Sequence, residues 1–145
     1  METAIFGNVK HWIYHQEIPK CNINGAVDAA KTWVMGAKFQ ISELQNAVMD
    51  TMYQWFVLRA EPEEELKQII LLAYQKDDRA KLRDMVVRQA ARNPTKFAVW
   101  LSDAPAGFAL DFVERLHKAY ENPLKHDIKI LPAVTEFYVD VLAKN

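Results

Sequence analysis

Two histidines and a cysteine near the N-terminus have side chains that can bind a metal ion. His11 and His15 are four residues apart, so on one continuous helix their imidazoles share a face, and Cys21 lies close behind them. A structural zinc site takes four ligands in paired spacing, and no fourth ligand is spaced to complete this set. We also expect the helix to fray near Tyr14. The sequence therefore predicts a solvated helix end with two histidines, and no metal site.

A Glu-x-x-His element runs from Glu114 to His117. Di-iron helical bundles use this spacing to place two ligands on one helix face, but they need a second copy of the element and two further glutamates. The sequence contains no second copy. It also lacks Gly-x-Ser-x-Gly, His-Glu-x-x-His and a glycine-rich phosphate loop. We therefore expect no catalytic residues, no cofactor and no enzymatic activity.

Residues 79–96 form the most basic stretch, with six basic side chains against a single acid. On a helix, Lys81, Arg88 and Arg92 fall on one flank of the apolar stripe. Such clusters contact nucleic-acid phosphates, although long cationic side chains also lie along the edges of half-buried helices. The preceding segment, 61–78, has six acids against two bases. Three interpretations stay open for the basic helix: a solvated flank, contacts with an acidic partner peptide, or binding to nucleic acid.

Tryptophan and phenylalanine supply the candidate contacts with a protein partner. Trp12 and Trp33 lie on apolar helix stripes, and we expect both to be buried. Trp55 and Phe56 belong to a helix that is nearly apolar all round, and Trp100 lies in a shorter one. Because exposed aromatic side chains are enriched at interface hot spots, we predict Trp55, Phe56 and Trp100 as partner-binding residues.

Apolar residues recur at helical spacing along nearly the whole chain, and the few glycines disfavour a turn-rich sandwich or barrel. Proline, asparagine and glycine mark the breaks between helices. We predict helices over residues 3–14, 26–38 and 42–58, one that starts at Pro62, one capped by Asp77 or Asp78, and three over 95–101, 105–120 and 131–143. A loop over 122–130, with a short extended piece possible at 127–131, precedes the last helix.

The helix over 105–120 has one predicted inner face. Phe108, Phe112, Val113 and Leu116 recur at helical spacing, and we expect all four to be buried.

Composition narrows the class of protein. At 145 residues the chain fits one compact domain, and its 18 basic and 19 acidic residues give a net charge of −1 with no global attraction to nucleic acid or acidic membrane. A single cysteine excludes an intramolecular disulfide. We see no signal peptide and no membrane-spanning run. We therefore expect an intracellular protein, cytoplasmic or nuclear.

Two stretches match the sequence pattern of a known family. A helix with Phe6, Val9 and Trp12-Ile13-Tyr14 precedes a variable loop, and Trp33–Asn46 then reads WVMGAKFQISELQN. This arrangement resembles the C-terminal half of a BTB/POZ domain, particularly of the divergent BTB proteins common in fungi. The later residues, which include Leu82–Val87, resemble the helical extension that follows the BTB domain in those proteins.

The resemblance implies a protein-interaction module without catalytic chemistry. The sheet-forming N-terminal half of a BTB domain, with the surface through which many members dimerise, has no counterpart in this sequence. We therefore expect either a fragment of a longer protein or a truncated relative that is helical and self-sufficient. We therefore do not expect this chain to dimerise in the same way as a complete BTB domain.

Together these observations predict an all-α fold, a single compact domain of about seven or eight helices. Residues 1–60 resemble the BTB C-terminal half and 61–145 the helical extension. We expect a non-catalytic protein–protein interaction module, an adaptor or a self-associating subunit, whose partner is another protein or a second copy. The alternative is a nucleic-acid-associated helical protein that uses the basic 79–96 helix.

Overall fold

A computed structural model describes residues 3–17, 25–58, 63–125 and 132–141. Their regular elements are seven α-helices and one short 3₁₀-helix, with no strand in these ranges, so the all-α prediction is confirmed. The elements are α1 (Thr3–His15), α2 (Ala26–Lys38), α3 (Ser42–Leu58), α4 (Glu63–Ala73), α5 (Ala80–Ala91), α6 (Pro94–Ala98), α7 (Ala106–Glu121) and the 3₁₀-helix Val134–Phe137.

The chain forms two compact units. One consists of Met1–Glu61 together with Val134–Asn145, and the other of Pro62–Ala133. The first unit contains α1, α2, α3 and the 3₁₀-helix, and the second contains α4 to α7. The second unit is therefore an insertion in sequence between α3 and the C-terminal segment.

In the first unit, α2 packs against both α1 and α3. Trp12 and Trp33 are buried, as the sequence predicts. A buried polar contact crosses from α1 to α2: the Asn8 amide Nδ2 donates to the Thr32 hydroxyl over 3.2 Å. That hydroxyl in turn donates to the Asp28 carbonyl at 2.9 Å. Because a buried polar group costs stability unless it is hydrogen-bonded, this contact favours one register of α1 on α2.

The predicted last helix over 131–143 is wrong within its described part. Only Val134–Phe137 is helical, as a 3₁₀ turn, and residues 138–141 have no regular structure. The reason is that the Asn46 side chain takes the backbone hydrogen-bonding groups that a helix would use. The Val139 N–H donates to Asn46 Oδ1 at 2.8 Å, and the Val139 carbonyl accepts from Asn46 Nδ2 at 3.0 Å. With both main-chain groups satisfied by α3, helix formation offers this residue no further hydrogen bond.

In the second unit, α5 is the central helix and packs against α4, α6 and α7. Its buried stripe contains Leu82, Met85 and Val86, as expected from the spacing.

The predicted cap at Asp77 or Asp78 is wrong, because Arg79 is the N-cap residue and makes no side-chain capping bond. The predicted short helix over 95–101 is confined to Pro94–Ala98. The uncertain extended piece at 127–131 lies outside the described residues.

Two helical glycines provide a matched test of the packing. A Cβ at Gly7 would meet no atom within 4 Å, whereas a Cβ at Gly36 would lie 3.1 Å from Gln45 Cγ. Alanine favours a helix interior over glycine by about 0.8–1 kcal/mol. We expect Gly7→Ala to raise the free energy of unfolding by about that amount. Gly36→Ala should gain less or lose stability, because α2 and α3 must separate locally. Urea unfolding measures both, and equal gains would contradict the close approach of α2 to α3.

Candidate interaction surface

The inner face of α7 is fixed by aromatic packing. Phe108 and Phe112 are fully buried, and their rings stack with centroids 5.5 Å apart. Phe108 also contacts the rings of Tyr74 and Trp100, with centroids at 5.9 and 5.8 Å. Burying two phenylalanines is worth about 3–6 kcal/mol in total, which determines the rotation of α7 about its axis.

The opposite face of α7 exposes a row of apolar side chains, which we call the outer stripe: Leu110, Val113, Tyr120 and, just beyond the helix end, Leu124. They are 72%, 53%, 87% and 98% exposed. Within α7, Leu110, Val113 and Tyr120 together with His117 are spaced by three, four and three residues, the spacing of a coiled-coil seam, and Leu124 follows beyond the helix end. At about 100° per residue, this seam lies nearly opposite Phe108 and Phe112. The prediction that Val113 is buried is therefore wrong, and Leu116 is only partly buried.

Polar side chains on and beside the outer stripe are paired within α7. Lys118 Nζ lies 3.1 Å from Glu114 Oε1, and His117 Nε2 lies 3.0 Å from Glu121 Oε1, both one helical turn apart. Glu114 and His117 thus face their own neighbours along α7. Among the described residues, no group of three or more histidine, cysteine, aspartate and glutamate side chains is arranged to hold a metal ion.

Tyr74 connects the end of α4 to the start of α7. Its hydroxyl donates to Asp111 Oδ2 at 2.6 Å, and the Arg83 guanidinium lies 4.6 Å from the ring centroid. Burial, followed by the hydrogen bond to the Asp111 carboxylate, raises the pKa of the Tyr74 phenol. Gly107 lies against the Tyr74 ring, where a Cβ would meet Cδ1 at 3.1 Å. These contacts support the same rotation of α7 as the phenylalanines.

Two arginines of the basic stretch bind the carbonyls at the end of α4. The buried Arg79 donates from Nη1 to the Leu72 carbonyl and to Gln75 Oε1. Arg83 donates to the Ala73 and Lys76 carbonyls at 3.0 and 2.7 Å. The last carbonyls of a helix have no intrahelical N–H partner. Here the two guanidinium groups donate hydrogen bonds to these carbonyls.

The three basic residues predicted to contact an acidic partner lie on the more exposed flank of α5. Arg88 Nε lies 3.0 Å from Asp84 Oδ1, and Arg92 donates to Gln89 Oε1 at 3.1 Å, while Lys81 is exposed. A groove of about 410 Å³ between α5 and α7 is lined by charged side chains of both helices, which include Arg83, Asp84, Arg88, Asp111, Glu114 and Lys118. Arg115 also lines the groove, and since three acids accompany the groove's four bases, it presents no concentrated positive charge to a phosphate. Contact with an acidic partner stays a prediction.

The predicted aromatic partner contacts lie in three different environments. Phe56 is only 3% exposed and belongs to the core of the first unit. Trp55 is partly buried on α3. Trp100 is partly buried among Phe97 and Phe108, with Lys67 Nζ 5.5 Å from its ring centroid. Their role in partner binding stays a prediction.

Of the three candidate metal ligands near the N-terminus, the two histidines lie close together. The rings of His11 and His15 approach to 4.5 Å between centroids, as expected for residues four apart on α1, whereas Cys21 lies outside the described residues. Across the part of the chain that the structure describes, no helix has both the length and the apolar character needed to span a membrane.

Comparison with models of protein families, with curated proteins and with solved structures found no match to this chain. The resemblance to the BTB C-terminal half and its helical extension therefore stays a prediction.

The outer stripe was missed by sequence reasoning, although a signal for it is present. Leu110, Val113, Tyr120 and Leu124 keep heptad spacing, but Val113 and Leu116 also fit the helical spacing of Phe108 and Phe112. Periodicity alone does not decide which of two apolar stripes faces the core.

Arg79 provides a test of the capping role. Arg79→Ala removes the guanidinium donor and leaves the Leu72 carbonyl with only the Gln75 N–H at 3.4 Å, and we expect it to lower the free energy of unfolding by about 1–3 kcal/mol. Arg79→Lys should restore only part of the loss, because an ammonium cannot reproduce the planar fork of the guanidinium. Lys81→Ala, on the exposed side of the same helix, is the control and should change stability by less than about 0.5 kcal/mol. Equal losses in thermal unfolding for Arg79→Ala and Lys81→Ala would contradict the capping role.

Proposed function

We propose that this chain is a non-catalytic protein–protein interaction module and that its outer stripe associates with the outer stripe of a second copy. The observation that supports the proposal is the exposed apolar heptad seam on α7, opposite the buried phenylalanines. Exposed apolar residues scattered singly need no explanation, whereas a contiguous apolar patch of several hundred Å² is often functional.

The size of the seam suits a weak dimer. A fully exposed tyrosine presents about 200 Å², and an aliphatic side chain about 100 Å². At their exposed fractions, the four side chains offer on the order of 400 Å² per copy, so that a dimer would bury about 800–1,000 Å² with its rim. This area is typical of transient, concentration-dependent association.

The spacing of the seam is self-complementary in an antiparallel arrangement. With residue 115 at the two-fold axis, Leu110 of one copy lies opposite Tyr120 of the other, and Val113 lies opposite His117. Each side chain of the seam would then insert between side chains of the facing helix, as in knobs-into-holes packing. His117 is the polar residue of the seam, and a polar residue at such a position favours one register over its neighbours.

The rim charges are compatible with this pairing. Glu114 already has Lys118 at 3.1 Å, so it does not depend on the second copy for a counter-charge. Like charges that meet across an antiparallel pair repel less when each is paired within its own helix.

The resemblance of residues 1–60 to the BTB C-terminal half supports the same class of function. We extend the proposal on this basis to an adaptor role inside the cell. The outer stripe lies in the part that resembles the helical extension.

Nucleic-acid association through the basic 79–96 helix has less support from the contacts. Arg79 and Arg83 bind carbonyls, and Arg88 pairs with Asp84. A salt titration with duplex and single-stranded probes separates the two functions. Binding that weakens steeply with salt would favour the nucleic-acid alternative.

Leu110→Lys provides the direct test of the outer stripe. Because Leu110 is exposed, we expect the variant to fold with unchanged helical content and stability within about 0.5 kcal/mol. Its self-association constant should fall at least about tenfold, which corresponds to 1.4 kcal/mol. Sedimentation equilibrium over a wide concentration range measures both proteins.

Ile13→Lys is the matched control, since Ile13 is also an exposed apolar residue, 58% accessible, but lies on α1. It should leave self-association unchanged. A wild-type chain that stays monomeric at every concentration, or equal effects of the two substitutions, would contradict self-association through the outer stripe.

A further inference from the structure

The first unit has an exposed apolar surface of its own, on α1. Phe6, Ile13 and Tyr14 are 51%, 58% and 73% exposed, and Phe39, directly after α2, is 46% exposed. The Phe6 and Phe39 rings meet edge to face, with their centroids 6.2 Å apart. We call these four side chains, together with Lys10, the α1 face.

The packing of α1 in the first unit fixes the direction of this face. Ile5, Val9 and Trp12 form the buried stripe of the helix. At about 100° per residue, the centre of the α1 face lies roughly 120° around the helix from the centre of that stripe. Its side chains are therefore left in solvent by the same packing that buries Trp12.

The apolar area of the α1 face is large enough to matter. At their exposed fractions, its four apolar side chains present on the order of 400 Å². The largest apolar patch on a monomeric protein is typically about 300–600 Å² and is often functional. The α1 face therefore has the size of an interaction surface, and it shares no residue with the outer stripe.

The charges of the α1 face and its edge are basic. Lys10 lies one helical turn from Phe6, and Lys38 directly precedes Phe39. Both lysines are exposed, and within the described ranges neither forms an ion pair with a carboxylate. Glu17, just beyond α1, lies 3.9 Å from a histidine instead. A partner with a carboxylate among its apolar side chains is thus complementary to this face.

The helical structure of the surface determines which kind of segment fits it. Main-chain groups in the middle of α1 are paired within the helix, so the face has no free edge to which a strand could add. A partner helix pairs its own main chain and presents side chains at spacings of three and four residues. The partner that suits the α1 face is therefore a helix.

We propose that the α1 face binds an amphipathic helix of another protein, and that this helix has an acidic residue among its apolar side chains. The carboxylate meets Lys10, and the apolar side chains contact Ile13 and the paired rings of Phe6 and Phe39. The proposal names the partner class of the interaction module and in that respect rests on the proposed function. It does not rest on self-association, because the outer stripe is a different surface.

A displayed library of amphipathic helices, randomised along one face, is the probe for the chemistry of the partner. The bait is the full chain with Leu110→Lys, so that helices that bind the intact outer stripe are not selected. We expect the selected helices to carry aspartate or glutamate between apolar residues. A selection that yields no binder, or binders without an acidic residue on the randomised face, would overturn the proposal.

Substitutions in the bait then measure the contact. Ile13→Lys and Lys10→Glu change exposed residues, so both variants should keep the helical content of the bait by circular dichroism. In calorimetric titrations, each should bind the selected helix at least about tenfold more weakly. Val99→Lys, at an apolar residue that is 81% exposed in the second unit, is the matched control and should bind normally. Equal affinities for all three variants would contradict binding at the α1 face.

A charge reversal isolates the ion pair. Replacing the acidic residue of the selected helix by lysine should weaken its binding to the bait and strengthen its binding to the Lys10→Glu variant. The apolar contacts are the same in all four combinations, so a general structural effect of the substitution does not produce this reversal. Losses that simply add, with no recovery in the reversed pair, would show that Lys10 does not meet the acidic residue.

The two surfaces of the chain are separable in one set of measurements. Leu110→Lys should weaken self-association and leave helix binding unchanged, whereas Ile13→Lys should have the opposite pair of effects. A chain that binds phosphatidylserine vesicles through Ile13 and binds no helix would assign the α1 face to a membrane and overturn the proposal. That result would leave self-association through the outer stripe unaffected.

Discussion

The packing of Phe108 is the interaction on which the arrangement of α7 in the second unit depends. Its ring is fully buried against Phe112, Tyr74 and Trp100, and this arrangement fixes the rotation of α7. Because Leu110 and Tyr120 lie on the far side of α7 from Phe108, burying Phe108 leaves both of them exposed to solvent. The exposed seam is thus a consequence of how the second unit forms its core.

Much of the helical arrangement follows from local signals in the sequence. The ends of α2 at Ala26 and Lys38 and the start of α3 at Ser42 agree with the predicted ranges, because the break at Gly25 and the apolar spacing of each helix are local signals. The last helix is different. Asn46 takes both main-chain groups of Val139, and a contact between residues so distant in sequence leaves no periodic signal.

The candidate surface was less predictable than the fold, for two physical reasons. Apolar spacing in α7 fits two stripes, and only the aromatic contacts of Phe108 decide which is buried. Charge counting over 79–96 likewise does not show that Arg79 and Arg83 bind the carbonyls of α4. A basic composition indicates nucleic-acid binding only when the cations are not already used within the fold.

Disulfide trapping on α7 tests self-association through the outer stripe most directly. In a Cys21→Ser background, Glu114→Cys places a thiol beside residue 115, where two antiparallel copies meet. We predict that mild oxidation gives a covalent dimer and that Leu110→Lys slows its formation at least about tenfold. Gln54→Cys, on an exposed position of α3, is the reference. Cross-linking of Glu114→Cys no faster than Gln54→Cys would contradict the account.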